Sequence, residues 1–557
     1  MVFINGFSFT EASLVKRSLE SFFGIGPKVS QRIMAKFHIQ PWAKVGALKN
    51  ATVMDLTAEL STMKIENDAR REVQDNIRRL KDMGAYRGRR HAMGLPVRGQ
   101  KTRTQINTAR RLNKVERGGS GRVQIRIQQL KFGTMDKEAP SSDDLPILII
   151  GAGISGLLLA QQLRQIGRQF LIFERDDDFS TRGLGWGLTL HWSLLALREL
   201  LPEDLLSRLP DTYVDRAAVE RGESSTFPFF DLTTGELRGA SPRAGENERV
   251  RVTRERLRRL LATNIDIQTF VQWGKTFKEL SDNMTSVTAH FEDGTEYRGC
   301  VLFGCDGSHS RVRRSILAPG NISISPIPVS MFGFTMQVTA EQARPIRQLD
   351  PFFLQGTASA SDVFMYISLL RAHQPSEDVD ETFVYQVCIS GSTNTEPFRT
   401  TITGNADVTN TNRIEMIRDI AQSFAEPFFS FLSLVSNDTE VKQLHLDDFA
   451  PQEKVFTSSV YSLVGDAAHA MTMYRGEGAN HAIVDVLELK EMVLSKLSPA
   501  SASFRFPLQE YQQSVARRTL PAVLASRQAC LDAHDWAALT PASPLLTRRQ
   551  MILDYGS

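Results

Sequence analysis

The stretch LPILIIGAGISG, Leu145 to Gly156, decides how the larger part of the chain folds. Ile147 to Ile150 is a short apolar run of the kind that forms a buried parallel strand. Gly151, Gly153 and Gly156 follow in G-x-G-x-x-G spacing. Gly151 permits the tight turn out of the strand, Gly153 lets backbone approach a pyrophosphate, and Gly156 lets the next helix pack on the sheet. That helix is expected over Ile154–Arg164, with Leu157, Leu158 and Leu163 inward. Its free N–H groups and dipole favour a phosphate. A lone glycine triplet also occurs in ordinary strand-to-helix turns. Here Phe170 to Phe173 reads as a second strand ending in Glu174, about 20 residues on, where an acid accepts hydrogen bonds from a ribose.

Working outward, 557 residues are too many for one core, so two to four domains are expected. Net charge is only +3, but the parts disagree. Residues 1–118 hold 23 Lys/Arg against 10 Asp/Glu, and residues 119–557 hold 43 against 53. A basic module joined to an acidic one suggests nucleic-acid contact by the basic part. Cys300, Cys305, Cys388 and Cys530 form no C-x-x-C and are too sparse for a disulfide framework. A reducing compartment and no structural metal are expected. No apolar run reaches the roughly 18 residues of a membrane span. The N-terminus has no apolar signal region with a cleavage site, and does not read clearly as an Arg-rich presequence.

In residues 1–118, Thr10 is placed to cap a helix through Phe23, with Leu14, Val15, Leu19, Phe22 and Phe23 on one side. Gly24 to Pro27 breaks it, and a second helix is expected over Lys28–His38, then a third helical pattern over Thr57–Met83. From Arg87 to Arg117 there are ten Lys/Arg and one acid, Glu116. Such a tail cannot bury enough apolar surface to fold alone. It suits a polyanion, with Arg able to pair with phosphates and stack on bases, or serves as a solvated tail or localisation signal.

FFGIGPKVSQRI, followed by YRGRRHAMGLPVRGQKTRTQINTARR, resembles the small-subunit ribosomal protein thirteen family, mitochondrial type. The resemblance covers residues 1–118. It implies an all-α helix-two-turn-helix module in the head of the small subunit, contacting ribosomal RNA and small-subunit ribosomal proteins. Arg87, Arg89, Arg90, Arg98, Lys101, Arg103, Arg110, Arg111 and Lys114 are the RNA-binding residues it implies. A mitochondrial location follows if this module is functional, and a cytoplasmic one otherwise. Asn107-Thr108-Ala109-Arg110 departs slightly from the family's usual NART.

Gly118-Gly119-Ser120-Gly121 is flexible, and residues 119–144 read as a linker or joint. Met135 precedes a plausible start for an independent enzyme. A genuine fusion and two reading frames joined here are both consistent with the sequence.

Beyond the glycine turn, RGLGWGLTLH spans Arg182 to His191. Its glycines, Gly187 among them, suggest backbone packed close to a planar ligand, or a turn. Val250 to Leu261 reads as a helix with Arg254 near its start. Val301 to Phe303 is a short strand leading into Asp306-Gly307. Tyr461 to Val464 is another, followed by Gly465-Asp466-Ala467-Ala468-His469, and Gly478-Ala479-Asn480 opens a long helix. Asp466 can accept hydrogen bonds from polyol hydroxyls, and the helix end offers N–H groups and a positive dipole.

These three markers in this order, GxGxxG…E, DG and GDAAH…GEGAN, resemble the class A FAD-dependent monooxygenases, or aromatic hydroxylases, over residues 145–520. The resemblance implies an α/β Rossmann-type FAD-binding domain with an inserted antiparallel-sheet substrate domain, giving a multidomain chain. The parts expected are a Rossmann part over 145–320, a substrate sheet over 321–450 with strands near Val363–Leu369 and Thr382–Ile389, a return to the cofactor over 451–520, and a C-terminal helical tail over 521–557. Glu174 would bind the adenosine ribose, Arg254 the phosphates or flavin region, Asp306 both FAD and NAD(P)H, and Asp466 the ribityl chain. Gly478, Ala479 and Asn480 would lie at the flavin ring. Met473 replaces the usual proline of the loop, and Val486 stands where the helix usually reads DA.

The implied activity uses NADPH or NADH and dioxygen, through a flavin 4a-hydroperoxide, to hydroxylate a small organic molecule, aromatic or polyketide-like. No catalytic base is assigned; His191, His469 and His481 are candidates by type only. A halogenase lacks support, since no W-x-W-x-I-P is present. An oxidase, and a ribosome component with a non-catalytic extension, are the competing readings.

Overall fold

In the computed structural model Ile147–Ile150 is a strand buried along its whole length. Parallel strands are paired on both sides and covered on both faces, which is why the run needs no polar alternation. Val301–Gly304 and Phe170–Phe173 flank it in parallel. Tyr461–Leu463 and Val271–Gln272 complete a five-stranded sheet in the order 461–463, 301–304, 147–150, 170–173, 271–272. Pieces of chain hundreds of residues apart thus present their C-terminal ends along one edge. The helix Ile154–Gln165 follows the central strand, and Leu157, Leu158 and Leu163 are buried as expected.

A seven-stranded sheet stands beside it. Its order is Lys442–Asp448, Ser325–Thr339, Thr382–Ser392, Phe364–His373, Phe353–Thr357, Phe229–Asp231, Leu237–Gly239. Alternation sorts its side chains. Phe332, Phe334, Val387, Ile389 and Ile367 face one way, into a core shared with residues of the helices Ala340–Leu349, Asn410–Ala421 and Phe428–Leu432. Met331, Phe364 and Cys388 face the other way, against Tyr474, Cys530, Ala533 and Leu545. The polar Ser368, Gln386 and Ser390 share this second face by their register.

The structure describes residues 2–4, 7–9 and 13–63 apart from 41, a scattering of positions between 65 and 97, and residues 145–547. Within the last range 180, 182–184, 284, 318–323, 375–379, 400–408, 453–459 and 497–504 are excepted. The chain divides into two compact units, Met1–Lys137 and Glu138–Ser557. In the first, Val15, Leu19, Phe22, Ile33, Met34, Leu56 and Leu60 form the core. Among the described residues no helix is long and apolar enough to cross a membrane.

Several expectations need correction. The N-terminal module is not all-α: Val2–Ile4 and Phe7–Phe9 pair as a hairpin, as their β-favouring residues permit. Its first helix starts at Val15 rather than after Thr10, and the pattern expected over Thr57–Met83 is interrupted: one helix runs over Asn50–Thr62, Met63 is extended, and residues 69, 75–77 and 79–80 are helical again. Val250–Thr253 is a strand, paired antiparallel with Gly187–Leu190, and the helix begins only at Arg254. The sheet expected over 321–450 is not confined to those residues, because Phe229–Asp231 and Leu237–Gly239 supply two of its strands. The helix Arg505–Asp532 runs through the boundary placed at 520.

Candidate functional site

At the end of the central strand Gly151 has φ +108°, and a Cβ there would lie 2.4 Å from the Cys305 carbonyl oxygen. A Cβ on Gly156 would lie 2.1 Å from the Gly151 carbonyl oxygen, so only glycine lets this helix sit against the turn. Gly153 is different. Its Cβ would meet nothing nearer than 3.9 Å. The fold itself does not require a glycine there, and the space above it is open.

Glu174 ends the second strand and turns back to the glycines. Its carboxylate accepts the Ala152 N–H at 2.9 Å and the Asp176 N–H at 3.2 Å. Arg258 completes the arrangement, donating to the Ala152 carbonyl at 2.6 Å and standing 3.7 Å from Glu174, with its guanidinium over the Phe179 ring. Arg258 was not among the expected site residues; as the fifth residue of an Arg-rich helix it looks like any other surface charge.

A cleft opens here, lined by Gly151, Gly153, Glu174, Arg254, Asp306 and Arg311 among others. Residues from four separated segments therefore meet in one cavity. Arg254 stands at the start of its helix, its guanidinium 4.0 Å from the position a Gly153 Cβ would take. Asp306 is largely committed to its own loop: it accepts the Ser310 hydroxyl at 2.5 Å and the N–H groups of Arg311 and Val312 at 2.7 and 3.1 Å. Burial nonetheless pushes its carboxyl above the ordinary range.

Asp466 lies in the short turn Gly465–Ala467 after the edge strand. Protein is packed closely around it while its side chain keeps contact with solvent, and it is not among the residues that line the cleft about the glycines. Burial pushes its pKa up, against the pull of His469, Arg254 and Arg313. Its carboxylate makes no hydrogen bond among the described residues. The helix Gly478–Met492 begins beside it, with a Gly478 Cβ position 3.5 Å from the carboxylate. Ala479 lies half-buried in the same first turn.

Asn480 and Gly187 prove to have protein partners. The Asn480 side chain accepts the His191 N–H and the Ser193 hydroxyl at 3.1 and 2.7 Å, and donates to the carbonyls of Thr189 and Gly476 at 3.0 and 3.1 Å. It ties the helix end to the Gly187–Leu190 strand. At Gly187 the planar group that comes close is the Arg251 guanidinium, 2.4 Å from where a Cβ would stand. Arg251, buried in the strand of alternating V-R-V-T, also went unforeseen. It donates to Thr189, to Tyr366 at 2.7 Å and to Ser368, joining this strand pair to the seven-stranded sheet.

The candidate histidines belong to the scaffold. His469 contacts Asp485 at 2.7 Å, and Arg518 contacts both Asp485, at 2.5 Å, and Glu488, at 2.7 Å. Asp485 also accepts the Gly465 N–H at 2.7 Å. Arg518 donates to His481, whose burial holds it well below its ordinary pKa. His191 packs edge-on to Trp192 and pairs with Asn480. None of the three lines the cleft about the glycines.

Room over Gly153, cations at Arg254, Arg258 and Arg311, and the solvent-accessible Asp466 carboxylate, which has no hydrogen-bond donor among the described residues, fit a flavin adenine dinucleotide, which brings a pyrophosphate and hydroxyl groups. The family profile described as "FAD binding domain" matches residues 144–512, and that described as "Ribosomal protein S13/S18" matches residues 4–111. An Arthroderma benhamiae protein named "Probable FAD-dependent monooxygenase" is 42% identical over 72% of this chain and 95% of its own length. The small ribosomal subunit protein uS13m of Neurospora crassa is 66% identical over 21% of this chain and all of its own length. The solved structure of 2,6-dihydroxypyridine-3-hydroxylase from Arthrobacter nicotinovorans shares the fold at TM-score 0.56 and 17% identity, over 73% of this chain and 97% of that one. The chain belongs to the FAD-dependent monooxygenases and carries a ribosomal S13 segment at its N-terminus.

Proposed function

We propose that residues 145–547 hydroxylate a small aromatic or polyketide-like molecule, using NADPH or NADH and dioxygen as co-substrates. FAD held there would supply the redox chemistry, taking electrons from the nicotinamide and passing them to dioxygen so that one oxygen atom reaches the substrate and the other leaves as water. Glu174 and Arg258 shape the glycine turn that receives the adenosine end. Arg254 and the N-terminus of Ile154–Gln165 face the pyrophosphate. Asp466 accepts the ribityl hydroxyls, and Gly478 and Ala479 offer N–H groups to the ring. Asn480 acts one step back, holding that helix end. Asp306 holds the DG loop against the cleft. The substrate is placed beside the seven-stranded sheet, where Arg251 joins the Gly187–Leu190 strand to Tyr366 and Ser368, and the fold around it would exclude bulk water.

The observation that carries this reading is the carboxylate of Asp466, solvent-accessible, beside the Gly478 helix end and without a hydrogen-bond donor among the described residues. Its test is NAD(P)H oxidation by the FAD-loaded chain against phenols and polyketides, with peroxide measured alongside. Substrate-stimulated oxidation with a product one oxygen heavier is expected; peroxide equal to the NAD(P)H consumed, whatever the substrate, contradicts it.

For residues 1–118 the 66% identity to uS13m favours binding to ribosomal RNA and small-subunit proteins in mitochondria. Arg87 and Arg89 are exposed on the helix Tyr86–Ala92, and Arg90 lies over the Tyr86 ring. Arg98, Lys101, Arg103, Arg110, Arg111 and Lys114 lie outside the described residues. Neutralising Arg98, Lys101 and Arg103 together should flatten the salt dependence of RNA binding by about 0.7–0.9 in slope per lost phosphate contact. An unchanged slope removes the tail from the interface. Peptides spanning residues 118–145 in intact mitochondrial ribosomes would establish one continuous product, and separate products would exclude it.

A further inference from the structure

Residues 526–547 lie beyond the stretch matched by the FAD-binding profile. They are fastened at three places to residues 472–475, which lead into the helix at Gly478. Thr472 and Ser526 are reciprocal: each hydroxyl donates to the other's carbonyl, at 2.7 and 2.8 Å. Arg475, buried and paired with Glu477 at 2.7 Å, donates to the Pro544 carbonyl and to Thr547 at 3.2 Å. Between these two attachments, Tyr474, Ser390 and His534 form a buried chain.

The polarity of that chain follows from one carbonyl. His534 Nδ1 lies 2.7 Å from the Cys530 carbonyl oxygen, which can only accept, so Nδ1 carries the proton. Burial lowers the His534 pKa to about 4, so the ring is neutral and Nε2 bears a lone pair. Ser390 then donates its single proton to Nε2 at 2.9 Å and accepts the Tyr474 hydroxyl at 2.8 Å. Tyr474 packs its ring against Phe364 and His534, at 5.0 and 5.6 Å between centroids. Ser390 and His534 each donate to one defined acceptor, the Tyr474 hydroxyl also meets the Cys530 thiol, and the last acceptor, the Cys530 carbonyl, belongs to the C-terminal segment.

We propose that His534, acting through Ser390, is a positioning residue that holds Tyr474 and residues 472–477 in the conformation that presents the Gly478 helix end to the flavin. The segment 526–547 is then an integral clamp of the active site. This rests on the reading of that helix end as flavin-facing.

The test uses the full-length chain loaded with FAD. Hydrogen exchange of residues 471–477, the visible flavin spectrum and Tm are read for wild type, His534→Ala, His534→Gln and Tyr474→Phe. Losing the acceptor should raise exchange in this loop about tenfold and shift the flavin bands, as one or two buried hydrogen bonds allow. His534→Gln, whose side-chain carbonyl can accept from Ser390, should restore both. Tyr474→Phe keeps the packing, removes the donor, and should behave as His534→Ala does; it carries the test if His534→Ala fails to fold. A lower Tm with unmoved loop exchange and spectrum overturns the proposal, as does a Gln variant no better than Ala. A wild-type chain that retains no FAD overturns the flavin reading itself, whereas a yellow wild type with unaltered variants overturns only the clamp.

Discussion

Asp466 and Asp485 lie in neighbouring parts of the same fold, both surrounded by protein, and their surroundings have opposite effects. Asp485 receives the Gly465 N–H, His469 and Arg518, and these hold its carboxyl well below the ordinary range despite its burial. Asp466 makes no hydrogen bond among the described residues, and burial pushes its carboxyl up. A buried carboxylate with partners is scaffold; one that keeps contact with solvent and has no partner is free for a ligand. The glycine turn repeats the contrast. Gly156 is required by the Gly151 carbonyl against it, and Gly153 by nothing in the protein itself.

The largest expected effect is on the scaffold carboxylate. Asp485→Asn strands Arg518 in the core and should cost about 3–5 kcal/mol of stability, read as a large fall in Tm. A loss under about 1 kcal/mol would mean that the network is not what holds this helix. Next, Asp466→Ala should weaken FAD binding about 100-fold through the loss of charge-assisted hydrogen bonds, with the Tm of the apo chain maintained or raised. A matching fall in apo Tm would place Asp466 with the scaffold. Third, Gly153→Ala should lose FAD retention and keep the apo Tm, while Gly156→Ala should lower the apo Tm. Identical behaviour of the two would erase the distinction.

The smallest effect is in pH dependence, where the two carboxylates have opposite signs. Asp485, with its folded pKa lowered, contributes stability that is present above its unfolded value and lost as pH falls through the folded one. Asp466, with its folded pKa raised, carries a penalty at pH 7 that is relieved as pH falls through that raised value. Apo Asp466→Asn should therefore be slightly more stable than wild type at pH 7, the advantage shrinking towards about pH 4. An advantage independent of pH would assign the difference to packing.

The turn at Gly151–Gly156, the strand ending at Glu174, and the segments carrying Asp306 and Asp466 were legible because each is local: an apolar run, a glycine spacing, an acid at a strand end. What failed to show is what depends on distant partners. V-R-V-T has the period of a strand, but the Arg-rich RERLRRLL after it drew the four residues into one helix. The strands near 230 and 238 gain their place only by pairing with Phe353–Thr357 far along the chain. Asn480 is a helix-end polar residue in sequence, and only the fold reveals that His191, Ser193 and Thr189 take up its hydrogen-bonding capacity. His534 and Ser390 carry no motif at all; their relation exists only where residue 390 and residue 534 meet.

A dinucleotide held between the glycine turn and Asp466 is what every functional role above requires. Titrating FAD into the apo full-length chain and into its Asp466→Ala variant, by quenching of flavin fluorescence, measures this directly. One FAD bound per chain, with affinity about 100-fold weaker in the variant, is the predicted result. A wild-type chain that binds no FAD, or a variant that binds it equally well, contradicts the account.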